Sequence, residues 1–307
     1  MIKPLIIIVV VSLSMLSGCG DKPIAEHMPT CKGSPSFVKR IAGFSAAKSY
    51  FSTSEIKRMG LVLVENDGSP RYYQHPSWKA AGWLSPIQLD VAGNVFTAPA
   101  PFINVHDNPV TKQNTVYKVD ATTGEMSEFM QLPLPDSLNG NNPYGILGLL
   151  YYCEGNILYA SSIAGSDRHT ERGSIYAIDL KTKKIIDRLP AIDAIGMGIT
   201  YVTGERRLFF GTGRNSSVYS IAIRSDGTFK GKPEVSFSLD GLGLRGDDKV
   251  RRIRTDAQGN LIVYGIEFNY NLIAPREKPE SVYYFRFDDQ GKRWALQSID
   301  SKTTPTE

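Results

Sequence analysis

The residues of this chain with the chemistry to bind or transform something come in short polar clusters. They are His106, Asp107 and Asn108; Asn141 and Asn142; Asp167, Arg168, His169 and Arg172; Arg214 and Asn215; Arg245, Asp247 and Asp248; and Glu267, Asn269 and Tyr270. Imidazoles move protons near neutral pH. Carboxylates and amides supply the oxygen ligands that a hard cation takes, and guanidinium groups hold anions through two parallel hydrogen bonds. Loops are polar for reasons of solvation alone, which is the plainer account of any one of these residues. Convergence would make them a site, so the question passes to the elements that carry them.

Those elements are strands. Residues 144–189 contain GILGLLYY, a turn at Cys153-Glu154-Gly155-Asn156, ILYASS, a polar loop, SIYAIDL, a turn at Lys181-Thr182, and KKIIDRL. Short β-branched or aromatic runs bounded by Gly, Asn, Asp and Ser predict four antiparallel strands. The same grammar recurs: Asn94, Asn156, Arg207 and Asn260 occupy equivalent turns 62, 51 and 53 residues apart, and TVYKVD, SIYAID, SVYSIA and SVYYFR line up as third strands. A period near fifty predicts an all-β fold, a β-propeller of four-stranded antiparallel blades over residues 36–300, in which neighbouring blades bury each other's faces. A sandwich would show no such period. Four units are legible from Ile87 onward. The irregular stretch 37–78 carries a hairpin of 60–65 with 71–74 and makes a fifth, with 46–58 either strand or short helix. A sixth blade follows if the first segment and the C-terminal strands interleave.

In that topology the turns of the Asn94 class lie on one face of the disc. Loops leaving each second strand and entering each first strand share the other. His106, Asp107, Asn142, Asp167, Arg168, His169, Arg214, Asn215, Arg245, Asp247, Asp248, Glu267 and Asn269 all fall in those two loop classes and are expected on one ligand-facing surface. The D-x-x-G-N turns at 90–94 and 256–260, with the aligned third strands, resemble the NHL-repeat and SMP-30/gluconolactonase group of six-bladed propellers over about 85–300. The resemblance implies a metal-dependent lactonase or esterase, with Ca²⁺ held over the central channel to polarise a carbonyl. Asn142 matches the family's Asn before a first strand, and Asp247 and Glu267 are trial partners. The acids that the family carries at the ends of the following strands are replaced here by Ser161-Ser162 and by Gly211. The first expectation is therefore a binding or scaffold module without a cofactor, and the Ca²⁺-dependent hydrolase is the alternative.

The N-terminus supplies an address. Met1-Ile2-Lys3 and the apolar run 5–16 form an export signal too short to span a bilayer. It ends in Leu16-Ser17-Gly18-Cys19, which resembles the bacterial lipobox. The resemblance implies a signal peptide over 1–18, diacylglycerol on the Cys19 sulfur, and an acyl group such as palmitate on the new amine. Two or three chains suffice for stable anchoring. Gly20 in the next position implies delivery to the outer membrane, facing the periplasm. Residues 19–35 are then a lipidated tether and 301–307 a disordered tail. Cys31 and Cys153 remain, and in an oxidising compartment they either pair or stay as two thiols.

Several classes are excluded. No G-x-S-x-G, P-loop or strand–G-x-G-x-x-G–helix is present, so neither a nucleophile elbow nor a nucleotide site is expected. A net charge of +4 over 307 residues, without a long basic run, argues against a nucleic-acid partner. The densest basic cluster, 250–254, either lines the channel and favours an anion or pairs with Asp247, Asp248 and Asp256. Expected partners are membrane lipid, through acylated Cys19, and an envelope protein or a small anionic or sugar-like ligand.

Overall fold

Short apolar runs separated by turn residues form antiparallel ladders, and the computed structural model holds nineteen strands in five sheets among the residues it describes. These are 31–55, 57–68, 70–101, 106–135, 142–272 and 280–302; the signal segment, Cys19, Asn141 and residues 303–307 lie outside them. Blade 1 has β1 (Ser49–Ser52), β2 (Val62–Glu65) and β3 (Arg71–Tyr73). Blade 2 has β4 (Leu84–Leu89), β5 (Val95–Pro99), β6 (Thr115–Val119) and β7 (Met126–Gln131). Blade 3 has β8 (Ile146–Tyr152), β9 (Ile157–Ser162), β10 (Ser174–Asp179) and β11 (Lys184–Pro190). Blade 4 has β12 (Ala194–Val202), β13 (Glu205–Thr212), β14 (Ser217–Ile223) and β15 (Phe229–Ser238). Blade 5 has β16 (Lys249–Thr255), β17 (Leu261–Ile266), β18 (Glu280–Asp288) and β19 (Arg293–Lys302). Each sheet pairs in sequence order, giving a five-bladed propeller.

Middle strands are apolar on both faces because a blade is packed from both sides. In blade 3, β9 is buried at every position, whereas the outermost strand β11 is exposed or half-buried throughout. Each interface between successive blades has its own core. Leu61, Leu63 and Trp78 meet Leu84 and Val95 between blades 1 and 2, and Phe96 and Val116 meet Ile146 and Leu158 between blades 2 and 3. Tyr159 and Ile175 meet Met197 and Phe210 between blades 3 and 4, and Phe209 and Val218 meet Val250 and Ile253 between blades 4 and 5. Burying each such side chain contributes roughly 1.5–3 kcal/mol.

The two D-x-x-G-N turns have the same internal wiring. Asp90 Oδ1 accepts from Asn94 N–H at 2.8 Å and Asp90 Oδ2 from Asn94 Nδ2 at 2.7 Å; the pair Asp256 and Asn260 repeats both bonds at 2.9 Å. Gly93 and Gly259 sit at φ 85° and 82°, a region costly for residues with a Cβ. The motif therefore closes its own turn, and at Asn94 the amide oxygen also accepts from Ala121 N–H at 3.0 Å.

The structure decides the alternatives that the sequence leaves open at residues 31–58 and at the last strand, and it departs from expectation in the strand number of blade 1. Residues 49–52 form a strand, and blade 1 has three strands rather than four. The C-terminal strand β19 pairs with β18 from Glu280↔Lys302 to Asp288↔Arg293, so it completes blade 5 instead of interleaving with the first segment. It also runs two residues past the expected boundary at 300. Finally, residues 31–35 lie on the turn face: Gly33 N–H donates to Asp90 O at 2.8 Å, and Cys31 is disulfide-bonded to Cys153, with Cα atoms 5.7 Å apart.

Candidate functional site

The loop face is built from the ends of the second strands and the starts of the first strands. At three of the four complete blades a buried polar side chain stands just ahead of the first strand: Asn142 (1% exposed), Asp193 (0%) and Asp248 (0%). A group so buried must find its partners inside the protein. Asn142 Nδ2 donates to Ile163 O and Ser166 O, both at 2.9 Å, and its Oδ1 accepts from Tyr144 N–H at 3.0 Å. The amide is a latch between the two loops of blade 3.

Asp193 ties three blades together. Its Oδ1 accepts from Ser166 Oγ at 2.5 Å and Gly173 N–H at 3.0 Å in blade 3. Its Oδ2 pairs with Arg214 Nη2 at 2.9 Å in blade 4 and accepts from Tyr270 OH at 2.7 Å in blade 5. The Arg214 guanidinium lies over the Tyr270 ring, 5.4 Å from its centroid, and its Nη2 also donates to Asp167 O at 2.9 Å. Burial first, then the hydrogen bond to Asp193, pushes the Tyr270 phenol far above its ordinary range. Nearer the rim, Arg168 Nη2 donates to Asn269 Oδ1 at 2.7 Å, a second tie from blade 3 to blade 5.

Asp248 is the counterpart of Asp193 in blade 5. Arg245 Nε pairs with its Oδ1, and Tyr283 OH donates to its Oδ2 at 2.7 Å. Burial, followed by that bond, pushes the Tyr283 phenol up to about 12. Asp167 Oδ1 accepts from His169 N–H and Thr170 N–H, both at 2.7 Å, and these backbone bonds hold its carboxyl below the usual carboxylate range. Asn215 accepts from Ser217 N–H at 3.0 Å and donates to Tyr219 OH at 2.9 Å. Asn108 bonds the backbone of Ala81 and Trp83. Asp247 is exposed, with Lys249 Nζ at 3.8 Å. His106, His169 and Glu267 are exposed and Asp107 is half-buried.

The resemblance implies Ca²⁺, and the residues offered for it do not assemble a ligand set. Among the described residues no three His, Cys, Asp or Glu side chains are placed to hold a metal ion, and the Asn142 amide already makes three bonds. The basic cluster is also placed differently from expectation. Arg251 is the extra residue of a bulge opposite Gly265 and Tyr264. Arg252 lies 3.9 Å from the Tyr264 ring centroid and 3.7 Å from Glu280, while Asp248 pairs with Arg245. Glu280 comes from β18, too far along the chain for spacing to suggest it.

The sequence matches no protein-family model and no curated protein. Solved structures do resemble it. An exo-β-1,3-galactanase from Phanerochaete chrysosporium aligns with a TM-score of 0.47 at 8% identity over 81% of this chain and 64% of its own. A hypothetical selenium-binding protein from Sulfolobus tokodaii gives 0.44 at 9% over 78% and 73%. A gluconolactonase from Xanthomonas campestris gives 0.44 at 14% over 71% and 64%. The chain thus spans less than two thirds of the galactanase. None of these likenesses carries an argument about activity.

Two features escaped the sequence reading. Asp193 sits inside the apolar-looking run AIDAIG, and its only signal is a position matching Asp248 ahead of the next first strand. The other is a cleft of about 450 Å³ on the rim of the loop face between blades 2 and 3, bordered by Arg172 and by Arg188 of β11.

Proposed function

We propose that this protein is a lipid-anchored binding module of the bacterial cell envelope, held by acylated Cys19 at the outer membrane and engaging its partner through the loop face. One observation supports the binding reading above all: the buried acids and amide of that face are engaged in internal bonds, within a blade at Asn142 and Asp248 and across blades at Asp193. Asp193, Asp248 and Asn142 are buried and bonded, and Arg168 and Arg214 bridge blades. A hydrolase needs a free base, nucleophile or metal cluster at such a place. A binding platform needs a rigid surface, which cross-blade bonds provide by lowering the ordering cost of association. Exposed on the same side are Arg168, His169, Asn215, Asp247 and Leu244.

The test is photo-crosslinking in intact cells. A photoreactive residue at His169 or Leu244 on the loop face is expected to trap an adduct, whereas one at Val91 on the turn face is not. Adducts from Val91 alone would sink the reading. The rival, a metal-dependent lactonase or esterase, is checked by thermal unfolding in EDTA and then in added Ca²⁺. A site saturated at a hundred times its Kd adds about 2.7 kcal/mol, and a clear upward shift would favour the rival.

A further inference from the structure

The segment that leads into the propeller crosses the turn face as a strap. Cys31 is bonded to Cys153 in the β8–β9 turn of blade 3, and Gly33 N–H donates to Asp90 O in the β4–β5 turn of blade 2. Ser36 Oγ and Phe37 N–H then donate to Ala121 O at 3.0 and 3.1 Å, beside the β6–β7 turn. First strands lie nearest the channel, where β8 packs against β4 and β12, and β6 and β7 lie farther out. The strap therefore runs between the axis and the rim, with its N-terminal end at the inner position.

That path is built into the fold. A Cβ on Gly33 would stand 2.3 Å from Val91 O, and one on Gly93 2.8 Å from Pro35 N, so strap and turn touch at backbone distance. Phe37 is buried, with its ring against Gly124 and 5.9 Å from the Trp78 ring.

The point where the tether leaves the disc sets which face can meet a membrane. Cys19 lies twelve residues before Cys31, so an acyl anchor there stands at most about 43 Å from the inner exit. To lay the loop face on a bilayer, the tether would have to cross from β8 to the outer strand β11, about 14 Å, and then descend the disc, about 23 Å for the seven residues of β8. That route takes nearly the whole reach, at a large cost in chain entropy. With the turn face down, no such route is needed. Without the disulfide, the apolar seat of Phe37 becomes the firm attachment, eighteen residues from Cys19, at the rim, with up to about 65 Å of reach. Either face could then turn to the bilayer. The turn face also offers exposed Lys32, Lys39, Arg40, Lys181, Lys183 and Lys184 to anionic headgroups. Glu125 and Glu154 are exposed there too, so the direction comes from the tether rather than from charge.

We propose that the turn face is the surface that meets the lipid bilayer, and that the Cys31–Cys153 disulfide enforces this by holding the acylated tether near the axis of the disc. The proposal rests on the reading of Cys19 as lipidated, and it leaves the loop face pointing away from the bilayer, free for a partner. The test is energy transfer from the full acylated chain in vesicles of phosphatidylethanolamine and phosphatidylglycerol. A donor dye is carried by an azide-bearing residue in place of Lys181 on the turn face or of Leu244 on the loop face, and the acceptor is a rhodamine-labelled lipid. Transfer from position 181 is expected to exceed that from 244 about twofold or more, given about 23 Å between the faces. With Cys31→Ser and Cys153→Ser together, the two values should approach each other. A second variant keeps the disulfide and gains about twelve Gly and Ser residues after Lys22, which lengthens the tether without touching the propeller, and it should lose the preference as well. Equal transfer from both positions of the native chain, or more from 244, would overturn the proposal. A preference that survives both variants would overturn the part given to the disulfide and the short tether. A chain that does not float with the vesicles removes the lipid-anchor reading and the proposal with it, whereas one that floats and shows no preference removes the proposal alone.

Discussion

Both faces of this propeller carry Asp and Asn, and only one of them uses such side chains to reach across blades. On the turn face the carboxylate bonds are local: Asp90 and Asp256 each bond an Asn four residues on, and Asp120 and Asp179 accept from the N–H groups two and three residues on. On the loop face Asp167 and Asn215 also bond locally, but other side chains reach far. The bonds of Asp193 reach Ser166, Gly173, Arg214 and Tyr270, the last 77 residues away, and Arg168 reaches Asn269 across 101. One face closes hairpins and the other holds blades in register with one another. The long-range bonds should therefore govern global stability and the geometry of the loop face, while the local ones set only the shape of their own turns.

Removing the central carboxylate is the strongest way to test that contrast. Asp193→Ala strands Arg214, Tyr270 OH and Ser166 Oγ at a buried junction of three blades, a loss expected at about 3–5 kcal/mol. Urea unfolding should show a lower midpoint at unchanged slope. Crosslinking from Leu244 should fall with it if the loop face is one surface. A loss no larger than that of a turn-face aspartate would break the comparison.

The same contrast explains what could be read from the sequence. The D-x-x-G-N turns were legible because both partners sit in one five-residue window, and SIYAID-type strands because apolar side chains declare a doubly packed blade. Five and six blades both fit the sequence, because nothing local shows that β19 pairs with β18. Asp193 was missed because its partners arrive from three blades. Asn142 matches a metal ligand by family position, whereas its amide latches one loop to another. Arg188 lies in KKIIDRL, which looks like a solvated outer strand. The cleft appears only when Pro133 to Pro135 come from the neighbouring blade.

A turn-face substitution supplies the smaller effect. Asp256→Ala removes bonds to Gln258 N–H and to both nitrogens of Asn260, in a half-buried turn where water can replace them. A loss of about 1 kcal/mol is expected by the same unfolding measurement. A loss of 3 kcal/mol or more would show that the turns are not independent of the ring.

The smallest expected effect comes from Tyr283, whose hydroxyl donates to buried Asp248. An unfolded tyrosine releases its proton near pH 10, while the folded Tyr283 phenol is pushed up to about 12, first by burial and then by the Asp248 bond. Between those values the native state binds the proton and the unfolded chain does not. The contribution of this hydroxyl is therefore complete below pH 10 and declines as pH rises towards 12. Tyr283→Phe should be less stable than the native chain at pH 9, and the gap should narrow by up to about 1 kcal/mol by pH 11.5, with solvent screening at the loop surface limiting it. Taking the difference between the two proteins cancels the other tyrosines held high by burial, such as Tyr117 and Tyr152. A gap that stays constant across the window would mean that the phenol feels neither burial nor Asp248, and the blade 5 junction would then resemble the solvated turns rather than the junction at Asp193.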